Sequence, residues 1–216
     1  MPDLVQQYYR TTTQAEAQQL QRGQLCWGPA VYLMPPQLAT LELVHYNPQD
    51  ERLNQYKVLW NPPGNVIFNH TPVHELHLAS DEEFLVLKAK RRLLLVISQG
   101  AGDWPLGGAR LRESGYVCLP LYSFHDDDPP DLRIRVKAHE YPWWVCLPEN
   151  AIPRLKEGFI RLDRMQVVEK RLLEPRTVAL TDDALFLVSE WLRYYLTGEI
   201  DPLFLEYRSE LLSQIQ

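Results

Sequence analysis

No two cysteines in this chain stand at the two-residue spacing of a redox or zinc pair. The three present, Cys26, Cys118 and Cys146, each sit alone in an apolar run. That excludes a disulfide framework and predicts buried, reduced thiols. No apolar run approaches the roughly 20 residues that a membrane helix needs. The N-terminus, MPDLVQQYYR, lacks the apolar segment of a secretory signal. Basic residues are in deficit, with 22 Lys and Arg against 28 Asp and Glu and a net charge of −6. Such a balance excludes a broad nucleic-acid footprint but leaves room for a local basic cleft. There is no P-loop, no Gly-x-Gly-x-x-Gly and no internal repeat, so no organic cofactor is expected. Together these absences predict a soluble cytoplasmic protein with no membrane association.

What is present is a large apolar fraction, 45% of 216 residues, enough for a sizeable core. Thr13 followed by Glu16 predicts a capped helix through Gln21, closed by Gly23. Strand patterns cover 24–33, 38–46, 66–68, 83–88, 92–98, 116–121, 132–138, 143–147 and 159–168. The run Arg92–Ser98 is continuously apolar after its arginine and predicts a strand buried on both faces. Leu132, Ile134 and Val136 alternate with Arg133, Arg135 and Lys137, which predicts a strand with one wet face. Turns fall at Asn61-Pro62-Pro63-Gly64 and 125–131, and a loop at 100–108. Thr181 with Asp182 and Asp183 predicts the start of an amphipathic helix closed by Gly198. Its stripe Leu185, Val188, Leu192 is a core or dimer face, with Trp191 and Tyr194 extending it. Asp201-Pro202 begins a last short helix. Many short strands and one long helix predict a barrel-like β domain with a helix packed on it.

The segment Gly158–Leu196 carries the most chemistry. Arg161 and Asp163 stand two apart in a strand pattern, so both side chains are expected on one face. A guanidinium beside a carboxylate is a unit that holds and protonates a phosphate. It is equally an ordinary ion pair at a sheet surface. His70, His74 and His77 do not make a metal site. Pro72 breaks a helix there, and on a strand His74 and His77 face opposite ways. Asp126, Asp127 and Asp128 read as a solvated turn. In Tyr141-Pro142-Trp143-Trp144, one Trp is expected in the core and the other at the surface or a dimer interface.

Four segments, in order, resemble the PemK/MazF (Kid-like) family of toxin endoribonucleases. Arg22-Gly23-Gln24-Leu25-Cys26-Trp27 is similar to the family's opening strand. Arg91–Ser98 is similar to its second strand, and Val117–Ser123 to its third. The strand with Arg161 and Asp163, the Lys170-Arg171-Leu172 link and the final helix resemble its closing segment. The resemblance covers about 120 of the 216 residues.

The resemblance implies a mainly β (α+β) chain of one domain, 1–216. Its core would be an SH3-like barrel of 22–27 and 84–198. Residues 28–83 would be an inserted β-rich segment and 199–216 a C-terminal extension. It also implies a metal-free endoribonuclease, or an RNA-binding relative, acting on single-stranded RNA. A homodimer and an antitoxin-like partner protein are implied too. Carried over, Asp163 is the base, Arg161 the phosphate stabiliser and Arg92 a second cation. Ser123 is the second residue of the family's Thr/Ser pair. Arg91 and Tyr122 are RNA contacts. Tyr122 replaces the family's Thr, Leu93 replaces its Pro, and the insertion displaces a short glycine loop. These departures carry a second reading, a non-catalytic dimeric interaction module that keeps the toxin-like barrel.

Overall fold

The computed structural model describes residues 5–31, 38–45, 47–50, 53, 55–60, 85–87, 89–98, 115–150 and 155–213. The turn at 61–64, the strand expected at 66–68, the loop at 100–108 and His70, His74 and His77 lie outside them. The chain divides into two compact units, one of 1–30 with 91–216 and one of 31–90. The second unit overlaps the stretch 28–83 read from the sequence as an insertion.

Among the described residues, the second unit is a three-stranded antiparallel sheet. Its central strand β3 (Leu38–His45) pairs with β4 (Gln55–Trp60) on one side and β5 (Leu85–Leu87) on the other. After β3, the Asn47 side-chain oxygen accepts hydrogen bonds from the Gln49 and Asp50 N–H groups, at 2.9 and 3.1 Å. This is the local turn that asparagine favours.

The first unit is built on a larger antiparallel sheet. Its path runs β1 (Tyr9–Thr11), β11 (Glu174–Leu180), β2 (Gln24–Val31), β6 (Ala89–Val96), β7 (Gly115–Ser123), β9 (Gly158–Arg161), β8 (Trp144–Leu147), with β10 (Gln166–Glu169) also on β7. Among the described residues no ladder joins β1 to β8, so the sheet is open rather than closed on itself. The chain is mainly antiparallel β with a few helices, an α+β protein. Leu93 to Val96 of β6 are all buried, as the continuous apolar run requires.

The helices follow their end signals. The helix α1 (Gln14–Gln18) carries the full capping box. The Thr13 hydroxyl accepts from the Glu16 N–H, and the Glu16 carboxylate accepts from the Thr13 N–H at 2.7 Å. It is shorter than expected because Leu20 and Gly23 both take positive φ, 52° and 89°. The helix α3 (Asp182–Thr197) starts where the Thr181 hydroxyl accepts from the Ala184 N–H at 3.3 Å. It ends at Gly198, φ 75°, whose N–H donates to the Tyr194 carbonyl at 2.8 Å. Its core face is Ala184, Leu187, Val188 and Trp191, spaced at i, i+3, i+4 and i+7. Of the expected stripe, Val188 is buried, while Leu185 and Leu192 pack half-buried at its flanks. The helix α4 (Pro202–Ser213) is anchored by the buried Phe204. Among the described residues no helix is long and apolar enough to cross a membrane.

Two expectations are corrected. Residues 132–138 are not a strand: Leu132–Lys137 form the helix α2. Six alternating residues are too few to separate a period of 2 from one of 3.6. Contacts that skip four and five residues decide the matter. Arg135 donates to the Glu140 carboxylate at 2.6 and 2.5 Å and reaches back to Asp131 at 3.4 Å. Only Val136 of the apolar set is buried, and Ile134 is exposed.

The second correction concerns 159–168, which is not one strand. A 3-10 turn, Leu162–Arg164, separates β9 from β10. The fully buried Leu162 pins that turn to the core. Arg161 and Asp163 therefore meet because the turn folds one back to the other, not through strand alternation. The aspartate turn behaves as read: the His125 N–H donates to the Asp128 carboxylate at 2.7 Å. The tryptophan pair does so in part, since Trp144 is half-buried against the core rather than within it. Trp143 is exposed, and Trp144 stacks on Phe159 with ring centres 4.6 Å apart.

Candidate anion-binding cleft

The buried half of β6 fixes the position of its exposed half. Leu93–Val96 are locked in the core, so Arg91 and Arg92 are held where the strand leaves it. The end of β7, Tyr122 and Ser123, pairs with Phe159 and Gly158 at the start of β9. Between these ends lies a cleft of 540 Å³. Trp27, Tyr9, Leu121, Leu147, Leu155 and Phe159 supply its apolar wall, and Arg91, Arg92, Lys156 and Arg176 its charge. None of the described lining residues is a carboxylate or an imidazole, on a chain whose net charge is −6.

The two adjacent arginines are each held against an aromatic ring. The Arg92 guanidinium lies 4.2 Å from the centre of the Tyr122 ring, and that of Arg91 lies 5.1 Å from Trp27. Stacking holds a guanidinium in place while its N–H edge remains able to donate. Arg91 also pairs with Glu174 at the rim, where both side chains are exposed. Such a pair contributes little in water. The Tyr122 ring itself is packed on Phe159, centres 5.8 Å apart and planes at 15°. At the inner end of the cleft, the Tyr9 hydroxyl donates to the Pro148 carbonyl at 2.8 Å. Burial pushes that phenol well above its ordinary value, so it remains a donor.

Of the six residues singled out in the sequence, Arg91, Arg92, Tyr122 and Ser123 line this cleft, while Arg161 and Asp163 do not. Arg161 Nε donates to Asp163 Oδ1 at 2.7 Å, and its Nη2 donates to Oδ2, a two-pronged pair. Arg164 stands 3.7 Å from the same carboxylate. The hydrogen bonding to Asp163, which accepts, holds the Arg161 guanidinium above its ordinary value. Their side chains are 21% and 24% exposed, too little for a freely solvated surface pair. The three thiols take no part, since burial pushes Cys26, Cys118 and Cys146 up to about 12.

Lys156 and Arg176 were not legible as site residues. Lys156 lies just before β9 and Arg176 on β11, and only the sheet order brings them to Arg92. No protein-family model, curated protein or solved structure matches this chain.

Gly158 is the tightest point of the cleft floor. A Cβ added there would run into the Tyr122 carbonyl oxygen and stand 3.0 Å from the Ser123 Cα, both backbone. Gly158→Ala is expected to destabilise the protein by about 1–3 kcal/mol, because β9 must move off β7. Thermal unfolding monitored by circular dichroism checks this. An unchanged midpoint would refute the close approach.

Proposed function

We propose that the cleft binds single-stranded RNA and holds it without cutting it. The observation that carries this reading is the pairing of cations with aromatic surface in a groove free of described carboxylates. Phosphates need the former and unstacked bases the latter. Cleavage needs a group placed to take the 2′-hydroxyl proton. The carboxylate expected to do so, Asp163, is committed to Arg161 outside the cleft. Descent of the core from a PemK/MazF-type barrel is part of the same proposal. In its favour are the adjacency of β2, β6 and β7 and the helix that follows β11.

The test is fluorescence anisotropy of a labelled, unstructured RNA at several salt concentrations, with the same RNA incubated in EDTA and run on a gel. Binding is expected to weaken steeply with salt, and the RNA to stay intact. Lys156→Ala with Arg176→Ala should weaken binding and reduce the salt slope by about 0.7 for each phosphate no longer neutralised. Cutting in EDTA that Asp163→Asn abolishes would establish the endoribonuclease instead. Absence of binding at low salt would leave the interaction module. The exposed Phe186 and Leu196 on α3 favour that second reading, as apolar side chains that a second copy or an antitoxin-like protein would cover. Light scattering of the purified protein separates monomer from dimer.

A further inference from the structure

From the cleft wall three aromatic rings stand in series, Tyr122 and Phe159 lining the cleft and Trp144 outside its lining, with centres 5.8 and 4.6 Å apart and planes at 15° and 24°. The Arg161 guanidinium reaches both outer rings. It lies 5.7 Å from the Tyr122 centre and 5.3 Å from that of Trp144. Asp163 grips it by two donor atoms, and the buried Leu162 between them fixes the turn that makes the grip possible. Arg92 rests on the same Tyr122 ring from the cleft. One ring thus links a cation that lines the cleft to a cation that does not.

We infer that Arg161, held by Asp163, is a positioning residue: it fixes the Tyr122 ring and, through it, the Arg92 guanidinium on the wall of the RNA cleft. This rests on the RNA-binding reading. A cation over a ring is attracted by the ring's quadrupole, most strongly where water is excluded. Removing Arg161 takes away one restraint on Tyr122 and leaves Asp163 only the longer contact with Arg164, at 3.7 Å. Removing Asp163 frees Arg161 to leave the rings. The two substitutions should therefore have one shared effect, not two separate ones.

The experiment measures binding of a labelled oligouridylate against salt for the wild type, Arg92→Ala, Arg161→Ala, Arg161→Lys, Asp163→Asn and the Arg161→Ala, Asp163→Asn double variant. Arg92→Ala is expected to lower the salt slope by about 0.7, the value for one phosphate on a single strand. Arg161→Ala is expected to weaken binding about three- to tenfold with the slope unchanged. Asp163→Asn should match it, and the double variant should be no worse. Arg161→Lys should behave like Arg161→Ala, because an ammonium lacks the planar fork. A slope drop in Arg161→Ala equal to that of Arg92→Ala would overturn the inference, because Arg161 would then touch phosphate itself. So would wild-type affinity in Arg161→Ala.

A second readout needs no RNA. Phenylglyoxal modification of Arg92, followed by mass spectrometry, should run faster in Arg161→Ala at unchanged far-ultraviolet circular dichroism. An unchanged rate overturns the positioning role whatever the RNA does. Failure of the wild type to bind RNA, with a faster rate in the variant, overturns the function and keeps the buttress.

Discussion

Trp191→Ala is expected to destabilise the protein by about 3–5 kcal/mol, the range for truncating a buried large aromatic. Trp191 is 0% exposed and is among the largest fully buried side chains described. It is the last residue of the core face of α3, one turn beyond Leu187 and Val188. Its ring stacks on His139 with centres 4.6 Å apart and planes at 19°, and Tyr194 meets it edge-on at 6.0 Å. The indole N–H has no hydrogen-bond partner among the described residues. The truncation therefore removes no hydrogen bond, and its whole cost is forfeited packing and the cavity left behind. Urea unfolding checks this: the midpoint should fall while the slope stays constant. A loss under about 1 kcal/mol would mean that α3 does not seat this ring in the core.

The second large effect is on acid stability, and it belongs to the ring that Trp191 touches. His139 is 4% exposed, its Nδ1 has no partner among the described residues, and its backbone is left-handed at φ 53°. Burial, helped by the Arg208 cation, lowers its pKa from 6.5 to about 4. The Arg208 Nε donates to the His139 carbonyl at 2.7 Å, and Glu140 and Tyr207 complete the surroundings. The sign follows from which state holds more protons. Between pH 6.5 and 4 the unfolded chain binds a proton on this ring and the folded chain does not. Stability from this group is therefore complete above pH 6.5 and falls as pH drops toward 4, by about 3 kcal/mol in all. The comparison is with His139→Asn, which tolerates the left-handed backbone and does not titrate. The stability difference between the two proteins should change by that amount from pH 7 to pH 4. A difference independent of pH would show that the ring protonates in the folded state as readily as in the unfolded one. Glu16 and Glu140, both lowered by hydrogen bonds, titrate in both proteins and cancel.

The parts of this structure that were legible in sequence are those where local chemistry decides. The Thr13 and Thr181 caps, the Gly198 stop and the buried run after Arg92 each depend on neighbours within a turn or one strand. Residues 132–137 were illegible because a short alternation fits both periods, and the choice is made by Arg135 reaching Asp131 and Glu140. The break after Arg161 was hidden because Leu162, Val167 and Val168 keep a strand-like composition through the turn. Of the site, the sequence located Arg91, Arg92, Tyr122 and Ser123, which lie on two neighbouring strands. It did not locate Lys156 and Arg176, whose approach to Arg92 depends on the order of strands across the whole sheet. Nor did it separate the cations that line the cleft from the one that stands behind it.

The place of β11 in the sheet bears on how the chain comes off the ribosome. Residues 174–180 pair with 9–11 on one side and with 24–27 on the other. The strand β1 thus waits for β11, and this edge of the sheet closes only when some 170 residues have followed β1. At translation rates of about 5–20 residues per second, the wait is on the order of ten seconds or more. Throughout that time the nascent chain carries two open strand edges with β-forming sequence, a condition that chaperones recognise and that slow, long-range pairing always prolongs.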